Sequence, residues 1–99
     1  MCEFKIIKKN DESQVAEEIL ALSYTQDNEL VLKDILGMGA KLDSALIVDV
    51  NTLTQKCVVL EHPIVKDFLG LMNHVMEGKV TLEEIDKIQK GLDQLKETI

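Results

Sequence analysis

The alternation of apolar and polar positions divides the chain into a mixed front part and a helical back part. At residues 2–9, CEFKIIKK, Phe4 and Ile6 share one face and Lys5 and Ile7 the other, the period of a strand. In NDESQVAEEILALS, Val15, Ile19 and Leu22 recur at helical spacing beside Ala16 and Leu20. Asp11 and Gln14 stand three apart at its start, as in a capping box, so the pattern predicts a helix over about 12–23. YTQDNE is a polar turn.

Residues 29–36 carry two patterns. Read as a helix, Val31, Leu32, Ile35 and Leu36 form a stripe that Gly37 or Gly39 would end in a left-handed conformation. Read as a strand, Leu30 and Leu32 alternate with Val31 and Lys33, but Asp34 then shares the face of the leucines. The stripe favours the short helix. The strand alternative would enlarge the sheet and curl it toward a small barrel.

SALIVDV and CVVLE are short and rich in Val and Ile, which predicts two strands joined by the polar connection NTLTQK. They are expected to pair antiparallel at the centre of the sheet. Pro63 suits a first helical turn, where its missing N–H costs nothing. Behind it Ile64, Val65, Phe68, Leu69, Met72, Val75 and Met76 form a broad stripe, and Gly78 ends the helix. Thr81 and Glu84 make a capping box for a last helix, with Val80 and Ile85 in staple positions. Ile85, Ile88, Leu92, Leu95 and Ile99 then follow at intervals of 3, 4, 3 and 4, the spacing of a narrow packing seam.

The elements add up to one α+β domain, residues 1–99, with a mixed part at 1–61 and a helical hairpin at 62–99. The expected sheet is small, mainly antiparallel and of about three strands, with helices on one face.

Composition narrows the chemistry. The formal net charge is −7, and every one of the eleven basic residues is Lys. An acidic chain without Arg is a poor partner for nucleic acid or an anionic membrane surface. No apolar run approaches the roughly 20 residues that cross a bilayer. Met1-Cys2-Glu3 does not open a signal peptide, and Cys2 and Cys57 are too few for a disulfide scaffold. The expected compartment is the cytoplasm, with reduced thiols.

The candidate motifs each miss required parts. Gly37 and Gly39 lack the third glycine of a dinucleotide loop, Leu42 standing there, and the strand follows them rather than preceding them. Asp43, Asp49 and Asn51 lack the central Gly and the late acid of a calcium loop. A hairpin turn with side-chain-to-backbone bonds is the expectation there. His62 and His74 stand twelve apart with no ligand-spaced companion, His74 being placed to meet Glu77 on its own helix. Cys57 is expected to be buried as a small hydrophobe. No catalytic, cofactor-binding or metal-binding residue is assigned, and an enzyme is not the favoured class.

Two functions follow from these expectations. The first is a non-enzymatic protein-interaction or regulatory module. It would self-associate as a homodimer, or bind another protein, through Ile85, Ile88, Leu92, Leu95 and Ile99. The second is a small-molecule-binding domain or minor enzyme. Its cleft would lie near the Gly37/Gly39 turn and the Asp49 hairpin, with Tyr24, Cys57 or His74 supplying polar groups.

Overall fold

A computed structural model describes residues 3–99; Met1 and Cys2, and the readings that fall on them, lie outside the described residues. The described residues are α+β as expected, but with seven strands in two sheets, of four and three strands, rather than one sheet of about three, and two helices. The strands are β1 (Phe4–Lys8), β2 (Ser13–Ile19), β3 (Ala21–Tyr24), β4 (Leu30–Lys33), β5 (Gly39–Leu42), β6 (Ala45–Asn51) and β7 (Lys56–Glu61). The helices are α1 (Pro63–Glu77) and α2 (Leu82–Glu97).

One sheet has the order β2-β1-β7-β6, the other β3-β4-β5. All neighbours are antiparallel except β1 and β7. Only Leu20 separates β2 from β3, and only Asp43 and Ser44 separate β5 from β6, so the chain turns twice from one sheet into the other. The two sheets therefore wrap a common core. Its buried cluster is made of strand residues alone: Ile6, Ile19, Leu30, Leu32, Ala45, Cys57 and Val59.

The expected helix at 12–23 is instead the strands β2 and β3. The register explains the misleading spacing. Along β1, Phe4, Ile6 and Ile7 pair with Ile19, Ala16 and Gln14 in turn, so β2 carries one more residue than β1 at each step. These two irregularities stretch an alternating pattern to Val15, Ala16 and Ile19, which imitates a helical stripe. Glu18 takes a left-handed conformation, φ 58°, within the stretched segment. Asp11 does not cap a helix; its carboxylate accepts from the Ser13 backbone N–H and hydroxyl in a turn between β1 and β2. Pairing with β1 outweighs local propensity here.

Residues 29–36 are likewise no helix. Leu30 and Leu32 of β4 are fully buried on one face. The objection raised by Asp34 disappears because β4 ends at Lys33. Asp34 belongs to the following turn, where its carboxylate accepts from the backbone N–H groups of Leu36 and Met38. Gly37, φ 77°, is the left-handed residue of that turn rather than a helix stop.

β6 and β7 pair antiparallel as expected, with Asn51 accepting from the Leu53 and Thr54 backbone N–H groups in the turn between them. β7 is central, but β6 lies at the sheet edge. Tyr24, at the end of β3, reaches across to it. Its hydroxyl donates to the Ala45 carbonyl at 2.7 Å and accepts from the Ile47 N–H at 3.3 Å. Burial raises the Tyr24 pKa, keeping the hydroxyl protonated for the first bond. Tyr24→Phe is expected to cost about 1 kcal/mol, read as a lower urea midpoint at unchanged slope.

The helical hairpin forms where the sequence places it. His62 caps α1, its ring nitrogen accepting from the Ile64 N–H, and Pro63 opens the first turn. Gly78 closes α1 with φ 70°. The Thr81 hydroxyl accepts from the Glu84 N–H at the start of α2. The hairpin does not lie over a sheet face as expected. α1 meets the strand part at β6, at the β5–β6 connection through the Lys66–Asp43 ion pair and at the β3–β4 loop through the Asn73–Asn28 side-chain bond, with Val65 buried. α2 packs on α1, and none of its residues is buried. The strand core is closed by the second sheet, which leaves the helices free for other contacts.

Candidate functional site: the open side of the helical hairpin

An α-helix turns by about 100° per residue, so residues seven apart share a side and the next residue points elsewhere. α1 uses this to present two different sides. Asp67 and His74 point to one of them. Asp67 pairs with Lys87 of α2 at 3.2 Å, and the His74 ring meets the Glu84 carboxylate at 2.7 Å. Lys66 and Asn73, bonded to Asp43 and Asn28, tie α1 to the strands. This side is polar, paired and turned toward the β3–β4 loop.

The other side carries no such pairs. Phe68 and Val75, each one residue beyond Asp67 and His74, rotate away from the ionic side together with Met72. Phe68 is 50 % exposed, and Met72 and Val75 are also open to solvent. On α2, Ile85 and Leu92 are 37 % and 49 % exposed, with Ile88 half-buried between them. Leu95 is half-buried near Ile64 at the end of the hairpin away from the α1–α2 connection, and Ile99 is fully exposed. The helices approach closely there: a side chain at Gly91 would sit 3.4 Å from the Ile64 terminal methyl.

The result is an apolar surface spanning both helices, with the seam Ile85–Ile88–Leu92 as one half and Phe68–Met72–Val75 as the other. The α2 half follows from heptad spacing. The α1 half belongs to a stripe that reads in sequence as core, and its exposure depends on the second sheet, which no periodicity announces. Two apolar helix faces on a chain with few aromatics were the available signal. Exposed contiguous apolar surface of this kind marks interaction sites.

The residues proposed for a small-molecule cleft are dispersed. Gly37 and Gly39 sit at the β4–β5 turn, and Tyr24 is engaged with β6. Cys57 is fully buried in the core, where burial pushes its thiol pKa up, against reactivity. His74 is held by Glu84 rather than Glu77. Asp49 borders a shallow depression of about 380 Å³ with Ile7, Lys9, Glu12, Val48 and Val58, away from those groups. Among the described residues, no three His, Cys, Asp or Glu side chains converge as a metal-binding group, and no helix is long and apolar enough to cross a membrane.

The His74–Glu84 contact gives the hairpin a pH dependence. The bond from the His74 ring chiefly holds the Glu84 carboxyl below its ordinary range, opposed by desolvation and aided by the His74 charge and the Thr81 bonds. A carboxyl with a depressed folded pKa stabilises the fold above the ordinary glutamate pKa of about 4.3, and that contribution drains as pH falls through the lower folded value. NMR titration of the Glu84 carboxyl is expected to show a midpoint below the ordinary range, shifting upward in His74→Gln.

No protein-family model matches the chain, and no curated protein matches it significantly.

Proposed function

We propose that this protein is a non-enzymatic cytoplasmic interaction or regulatory module that self-associates through its C-terminal helices. The observation that supports this most is α2. It carries an apolar seam, buries none of its residues within the chain, and lies beside exposed Phe68, Met72 and Val75 of α1. A helix of 16 residues gains most of its stability from packing one apolar face, and α1 covers only part of this one. A second copy supplies the missing cover. The buried, unpaired Cys57 suits a reducing compartment.

Size-exclusion chromatography with light scattering on the full-length protein tests the reading. The expected result is twice the chain mass at micromolar concentration, falling toward the single-chain mass on dilution. A single-chain mass throughout that range overturns it.

A further inference from the structure

We infer that the hairpin's apolar side docks on the same side of a second copy as a two-fold pair, with the two α2 helices antiparallel and crossing near residue 90. This rests on the self-association proposed above and adds to it the orientation of the partner and the contribution of α1.

A compact monomer of 99 residues exposes about 5,700 Å². This chain exposes 7,100 Å². Its radius of gyration is 15.2 Å, against about 13 Å for a compact chain of this length. The excess, about 1,400 Å², exceeds the roughly 800 Å² that each partner buries in a standard interface. A short peptide or a small ligand would leave most of that excess exposed. The hairpin carries part of that excess, since α2 buries none of its residues.

The first half of α2, residues 82–89, carries Glu83, Glu84 and Asp86 against Lys87, a net −2. The second half, residues 90–97, balances Lys90 and Lys96 against Asp93 and Glu97. Parallel helices would bring the two acidic halves together. Antiparallel helices set each acidic half against a neutral one. Helix dipoles favour the same choice, because each positive end then lies beside a negative one.

Ile85, Ile88, Leu92 and Leu95 are symmetric about residue 90, so an antiparallel pair matches Ile85 with Leu95 and Ile88 with Leu92. Every residue of the seam up to Leu95 then finds an apolar partner. Phe68 and Met72 flank the seam and widen the contact into a four-helix layer, as isologous pairing requires of a self-complementary patch.

Spin labels separate the arrangements. Leu82→Cys and Gln89→Cys are made singly in a Cys2→Ser background, with buried Cys57 shielded from the label, and each labelled protein is first weighed by light scattering. Residue 82 lies eight residues from the crossing point, so antiparallel helices separate the two backbone positions by about 25 Å, and bring the two at residue 89 to about 10 Å. Dipolar spectroscopy is expected to give a long distance at 82 and strong short-range broadening at 89. Short distances at both positions in a dimer mean parallel helices and overturn the orientation alone. Long distances at both overturn the α2–α2 contact. A monomer before labelling overturns the self-association reading itself.

Discussion

Leu92→Asp is expected to leave the protein folded and monomeric. Leu92 is half-exposed within the single chain and lies on the side of α2 away from the ion pairs with α1, so an aspartate there meets water. The cost to the chain is the helix-propensity difference and the loss of Leu92's half-buried apolar contact, together about 1–2 kcal/mol. In the dimer the same carboxylate lies in the apolar seam twice, once from each copy. Removing an unpaired ion from water costs several kcal/mol even after relaxation. Two of them weaken association by about a thousandfold or more. Light scattering checks the mass, and far-UV circular dichroism checks that the helices survive. A dimer of undiminished affinity would sink the hairpin as the interface. Leu53→Asp, at a fully exposed position in the β6–β7 turn, is the matched control and is expected to stay dimeric.

Gly39→Ala is expected to be the most destabilising single methyl addition in the β4–β5 hairpin. Gly39 opens β5 opposite Lys33, and a Cβ placed on it would lie 1.7 Å from the Leu32 carbonyl oxygen and 2.7 Å from its carbon. Both are backbone atoms of a strand whose leucines are fully buried, so neither moves without opening the hairpin or shifting the core. Strain of this kind costs about 3 kcal/mol or more, a large share of what holds a small domain together. Gly37→Ala, two residues earlier, meets nothing within 4 Å and pays only for its positive φ, about 1 kcal/mol. Chemical denaturation of both variants measures the difference. Equal losses would mean that the turn, not the close approach, is what glycine serves here.

That pair of glycines shows where sequence reading stopped. Glycine at a turn leaves a signal in its neighbours; glycine under a backbone carbonyl leaves none, because the atom that forbids a side chain comes from another strand. The same limit applied to β2. Val15, Ala16 and Ile19 carry a helical rhythm in one dimension, and only the register against Phe4, Ile6 and Ile7 turns it into a bulged strand. Where an element is set by its own residues, the reading held. The β6–β7 hairpin, His62-Pro63 at the start of α1, Gly78 at its end and the Thr81 cap of α2 stand as expected. The candidate site divides the same way. Heptad spacing singled out Ile85, Ile88 and Leu92, while Phe68, Met72 and Val75 read as core until a second sheet took over the closing of the strand core.

Tyr24 bears on how the β6 edge meets other chains. β6 is a sheet edge, and such edges recruit further strands without limit. The Ser44 carbonyl turns inward to the His62 N–H, so the polar groups of Ala45 and Ile47 that Tyr24 takes up are among those facing outward, where an incoming strand would dock. One phenol thus closes the upper stretch of that edge to polymerisation. Growth strand upon strand has no natural end, and the Tyr24 hydroxyl removes one place on β6 where it could begin.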